Sequence, residues 1–183
     1  MVSNSRNSYW STVASLIGEG QNVFLAMVAE HTQHSPGTTG AKLLVAKNRD
    51  PVGTIGGGIM EYTLLKRAKD ILETGSYTPE IQTLSHRKSG PEEKSGMICA
   101  GQQTNLYYLC RPEKDGETVE RIVHLLDHNQ SALLSIDPSG MAIRKQKSDV
   151  HELQIKLSQD DHNWLYEEQL QNFKRIAIIG GGH

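Results

Sequence analysis

The chain has only two cysteines in 183 residues, Cys99 and Cys110. That is too few for a disulfide framework, and their spacing matches no zinc-ligand pattern. A thiol with a task here has it as a thiol. No apolar run approaches the roughly 18 residues needed to cross a bilayer. The first residues, Met-Val-Ser-Asn-Ser-Arg, lack the apolar core of a secretory signal. These absences predict a cytoplasmic protein without a membrane partner. Net charge is nearly absent too, at -2. No broad field for a polyanion exists, so no nucleic-acid partner is expected. Internal repeats, low-complexity tracts, a Walker sequence, a nucleophile elbow and a Ser-His-Asp order are all missing.

What is present is an alternation of apolar patterns. Tyr9, Val13, Leu16 and Ile17 recur at helical spacing before Gly18 and Gly20. Val23 to Glu30 is a near-continuous apolar run that reads as a buried strand. Lys42–Lys47 and Val52–Ile55 form a hairpin about Asn48-Arg-Asp-Pro51. A second helix follows Gly56-Gly57-Gly58, with an apolar stripe through Met60, Leu64, Leu65, Ala68, Ile71 and Leu72 that Gly75 ends. Ile81–His86 and Gln103–Cys110 read as strands, with a charged loop between them. Val119, Ile122, Val123 and Leu126 mark a third helix, and Ala132–Ile136, Met141–Arg144 and Trp164–Glu168 are further strands. The polar stretch from Lys145 to Asp161 gives no periodicity to place. This order predicts an α+β or α/β-like fold in which helices pack on a mixed sheet.

Two segments carry candidate chemistry. Gly56, Gly57 and Gly58 lie between a strand and a helix, where positive φ lets backbone N–H groups converge at a helix N-terminus. The plain alternative is a tight turn under close packing. Glu61, in the first turn of that helix, is a capping carboxylate or an inward-facing acceptor. The second segment is Ser95-Gly-Met-Ile-Cys-Ala-Gly101, where Cys99 among small residues is either a reachable thiol able to meet a soft metal or a small buried hydrophobe. Cys110 reads as core. His124 and His128 have metal-pair spacing but project away from the apolar stripe of their helix, with no third ligand in view. His31 and His34 lie in the loop before the glycines and can reach the same rim.

The segment Arg175-Ile-Ala-Ile-Ile-Gly-Gly-Gly-His183 reads as a strand entering a glycine-rich turn, the opening of a dinucleotide-binding βαβ unit. The expected division is a domain over residues 1–172 and, over residues 173–183, the first strand of a Rossmann-like domain. Its uncharged strand should dock or self-associate, so a homodimer is among the partners to look for. Taken alone, this segment favours a fragment of a nucleotide-dependent oxidoreductase.

Several motifs in order point elsewhere. Ser35-Pro36-Gly37, Gly40-Ala-Lys-Leu-Leu-Val45, Val52-Gly-Thr-Ile-Gly-Gly-Gly58 with Glu61, and Gly96-Met-Ile-Cys99 together resemble the XdhC/CoxI family, the accessory proteins of xanthine dehydrogenase and related molybdenum hydroxylases. The resemblance implies a chaperone, not an enzyme. Such a protein binds the molybdenum cofactor (molybdopterin) transiently, protects it while a cysteine desulfurase supplies sulfur, and passes it to a hydroxylase of the xanthine dehydrogenase type. Carried onto this chain, it implies cofactor binding by Gly56, Gly57, Gly58, Glu61, Cys99 and Gly101, with Cys99 near the metal. Two positions depart from the family pattern: Ile59 stands where many relatives have cysteine, and Ala100 where glycine is common.

Overall fold

The computed structural model describes residues 5–85, 101–145, 154–160 and 163–171. Helix α1 (Ser5–Gly18) is followed by β1 (Val23–His31), β2 (Lys42–Ala46) and the two-residue β3 (Val52–Gly53). Helix α2 (Gly58–Thr74) then leads to β4 (Glu80–Ser85) and β5 (Gln102–Cys110). After α3 (Pro112–Asp127) come β6 (Ala132–Asp137), β7 (Gly140–Lys145), β8 (Ile155–Gln159) and β9 (Trp164–Leu170).

The α+β class is as expected, but the sheet arrangement differs. There are two sheets, in the orders β3-β2-β1-β5-β4 and β7-β6-β9-β8. Every neighbouring pair in both is antiparallel, where one mixed sheet was predicted. The reason lies in the connections. Short turns join β2 to β3 and β6 to β7, which makes those neighbours antiparallel. Helix α2 carries the chain from one edge of the first sheet to its opposite edge, so no parallel neighbours arise. The unplaced polar stretch contains β8, whose half-exposed edge position explains its weak apolar signal.

The first sheet is the middle layer. On β1, Val23, Leu25, Met27 and Ala29 face a core built with α1, α3 and the second sheet. Phe24, Ala26 and Val28 face a separate core under α2. Burial on both faces is why β1 has no polar alternation. Local signals set the helix ends. Gly75 closes α2 in the left-handed conformation, φ 67°, and its N–H donates to the Ile71 carbonyl. Pro112 opens α3, where a missing N–H costs nothing. The buried Asp115 carboxylate accepts from the Arg111 N–H at 2.8 Å and the Tyr108 hydroxyl at 2.6 Å, tying α3 to the end of β5.

Among the described residues, one ion pair joins the two sheets. Lys42 Nζ on β2 donates to Glu168 Oε1 on β9 at 2.7 Å, with side-chain exposures of 9% and 1%. Lys42 also donates to the Gly40 carbonyl, and Glu168 accepts from the Tyr166 hydroxyl.

Candidate functional site: a glycine rim at one end of the sheet

The strand register brings the sequence motifs together. His31 pairs with Gln103, Met27 with Lys42, and Leu43 with Gly53. The end of β1, the start of β2, the end of β3 and the start of β5 therefore share one end of the first sheet. The loop holding Ser35-Pro36-Gly37, the Gly53–Gly58 turn and Gly101 meet there.

These segments interlock so closely that side chains are excluded at three positions. A Cβ on Gly37 would overlap the Ile55 carbonyl oxygen. One on Gly56 would lie 2.7 Å from Gly37 N, and one on Gly101 would overlap Ser35 N. Gly101, named in the sequence as a cofactor residue, is thus a buried packing position against the 34–35 loop.

A polar side chain missed in the sequence fastens the rim. Gln103 on β5 is fully buried. Its Oε1 accepts from the Gly37 N–H at 2.9 Å, and its Nε2 donates to the Ile55 carbonyl and to Asn105 Oδ1, both at 2.8 Å. Asn105 Nδ2 in turn donates to the Tyr107 hydroxyl at 3.2 Å. One amide therefore bridges the Ser-Pro-Gly loop and the glycine turn. The available signal was the period of two: Gln103 and Asn105 occupy the face that Tyr107 and Leu109 continue into the α2 core. Polar residues on such a face need partners.

Glu61 has both roles that the sequence suggested: it caps, and it faces inward. Its Oε2 accepts from the Thr54 hydroxyl at 2.6 Å, the Ile55 N–H at 2.9 Å and the Gly57 N–H at 3.1 Å. Burial disfavours its charged form, but these three hydrogen bonds outweigh burial and hold its carboxyl below the ordinary glutamate value. The N–H of Gly56 is also taken, by Thr54 Oγ1 at 3.1 Å. The triple glycine is therefore not a cradle of three open donors, because the turn satisfies two of them itself.

What remains open is the start of α2. Gly58 begins the helix, and its N-cap residue, Gly57, has no side chain to bond the first helical N–H groups. The N–H groups of Gly58, Ile59 and Met60 precede the first intrahelical bonds and carry the positive end of the helix dipole. Gly57 and Gly58 have φ of 73° and 70°, and a Cβ at either would meet nothing within 4 Å. Beside them Ile59 is 85% exposed and Tyr62 60% exposed. The arrangement offers backbone donors for an anion next to apolar and aromatic surface.

The remaining candidates lie elsewhere. Cys99 falls outside the described residues, as do the charged loop around residues 87–94 and the segment 173–183. Cys110 is buried, and burial together with Asp115 pushes its thiol pKa well up, which keeps it protonated and inert. His124 and His128 are exposed on α3, their rings 4.2 Å apart. His31 Nδ1 accepts from the Thr39 N–H at 3.0 Å, and His34 is exposed with φ 68°. Among the described residues no group of three His, Cys, Asp or Glu side chains is placed to hold a metal ion. No described helix is long and apolar enough to cross a membrane.

The fold and rim define an α+β domain with an open, glycine-bordered helix start. Residues 16–84, which carry the Ser-Pro-Gly loop, the glycine turn and Glu61, match the sequence model of the XdhC and CoxI family. No curated protein sequence matches the chain. Among solved structures it resembles one described as a xanthine dehydrogenase from Bacillus halodurans, at 18% identity and a TM-score of 0.55. The match covers 78% of this chain and 46% of that one, so this chain spans less than half the length of that protein.

Proposed function

We propose that this chain is an accessory protein in the maturation of a molybdenum hydroxylase of the xanthine dehydrogenase type. It binds molybdopterin-type cofactor as cargo, holds it for sulfuration by a cysteine desulfurase in the cytoplasm, and releases it to the hydroxylase without turning over a substrate of its own. The family match supports the accessory role. The observation that carries cofactor holding is the open start of α2, bordered by Gly57 and Gly58 and held in place by Glu61 and Gln103.

The chemistry of the cargo fits this place. A phosphate takes the N–H groups of Gly58, Ile59 and Met60. A flat pterin lies against the exposed Ile59 and Tyr62 side chains. Glu61 acts behind the turn by fixing the Ile55 and Gly57 N–H groups. Cys99 is the motif thiol assigned to the soft metal centre. In this reading residues 1–172 form the accessory domain, and residues 173–183 are the opening strand of a Rossmann-like domain.

The test places a competing carboxylate at the helix start. In an Ile59→Glu chain the new charge favours the dipole and touches no core, so thermal stability should stay unchanged. Cofactor binding should fall about tenfold or more, a change of about 1.4 kcal/mol per tenfold. Binding is read from pterin fluorescence after anaerobic loading, gel filtration and oxidation. Absence of pterin from the folded unsubstituted chain would sink the proposal. Equal loading of the Ile59→Glu chain would remove the phosphate from α2.

A further inference from the structure

Beyond the rim, α2 and the β2–β3 turn enclose a groove of about 820 Å³. Its α2 wall carries Lys66 and Lys69, and the facing wall carries Lys47 and Arg49. Two acidic residues, Asp50 and Glu73, also line it, so four positive side chains stand against two negative ones. This local excess lies on a chain whose net charge is -2. All four cations are exposed, and none takes part in the ion pairs found among the described residues. Lys66 Nζ lies 4.6 Å from the centre of the Tyr62 ring. Between the walls, Val45, Leu65 and Leu72 supply an apolar floor.

We infer that this groove is a docking surface for an acidic protein segment that carries an apolar anchor. Asp50 and Glu73 offset only part of the like charge on the two facing walls, and the excess leaves a positive potential that an external anion neutralises. The layout of the cations separates a peptide from a phosphate. Phosphate sites converge several donors on one point, commonly at a helix start. Here α2 runs along the groove, its two lysines are about 4.5 Å apart along the axis, and the floor is apolar. Carboxylates spaced along a chain meet such walls, and a buried Leu-type side chain meets the floor. The groove opens at Tyr62, next to Glu61, so a partner seated in it lies beside the start of α2. The inference does not depend on what the helix start holds.

The test uses the 183-residue chain and a fluorescein-labelled peptide of repeated Glu-Glu-Leu, with binding read by anisotropy. Affinity should fall about tenfold or more in Lys66→Glu/Lys69→Glu and, independently, in Lys47→Glu/Arg49→Glu, and it should weaken between low and about 0.3 M salt. Tripolyphosphate at equal charge should not displace the peptide, and Ile59→Glu should leave peptide binding intact. Loss of peptide binding in Ile59→Glu would place the peptide at the helix start and overturn the inference. So would unchanged affinity in both double variants, or displacement by tripolyphosphate, which would make the groove a phosphate site.

Discussion

Replacing Gln103 with Leu should destabilise the domain by about 3 kcal/mol or more, because the shape of the side chain survives while the Gly37 N–H and the Ile55 carbonyl lose their shared partner inside the protein. Each buried group left unpaired costs about 1–3 kcal/mol. For a chain of this size that corresponds to a melting temperature lower by roughly 6–12 °C. Gln103→Glu separates the two halves of the clamp. A carboxylate still accepts from Gly37 but cannot donate to Ile55, and its own burial adds a further cost. Both variants should also loosen the glycine turn, seen as faster amide exchange at Ile55 and Gly57. A melting temperature within a degree of the parent for Gln103→Leu would show that the bridge carries no stability.

The second large effect is expected where the two sheets are joined. Glu168→Leu leaves the Lys42 ammonium buried with only the Gly40 carbonyl as a partner. Removing one member of a buried pair costs about 3–5 kcal/mol. Replacing both, in Lys42→Met/Glu168→Leu, should recover most of that loss, because the desolvation of two charges disappears with their attraction. Urea unfolding of the two single variants and the double variant forms a complete cycle. Strict additivity, with the double variant as unstable as the sum of the singles, would mean that the pair is not what holds β2 against β9. Its position matters beyond stability, since Lys42 also fixes Gly40 in the loop that leads from Ser35-Pro36-Gly37 into β2.

Local chemistry made most elements legible. The stripe through Leu64, Ala68, Ile71 and Leu72 has one helical solution, and Gly75 has a conformation that ends it. Val23 to Ala29 is buried on both faces, so its unbroken apolar run was a direct record of its place in the middle layer. β8 left little trace because three of its five residues are exposed and it forms an edge. The motif glycines could be found in the sequence, but their separate reasons could not. Gly37, Gly56 and Gly101 are small because backbone from another segment lies against them, whereas Gly57 and Gly58 face open space and are glycine for their positive φ.

The sequence by itself determined the α+β class, most helix and strand spans, and the motif order that resembles the XdhC and CoxI family, because these depend on periodicity, caps and short-range turns. Tertiary structure alone decided the rest. Antiparallel pairing of β1 with both β2 and β5 brought three distant loops to one end of the sheet. There Glu61 and Thr54 each take one of the glycine N–H groups that sequence reasoning had left for a ligand, the carboxylate that of Gly57 and the hydroxyl that of Gly56. Whether a backbone donor is free depends on which acceptor lies within about 3 Å of it in space, and no spacing along the chain encodes that distance.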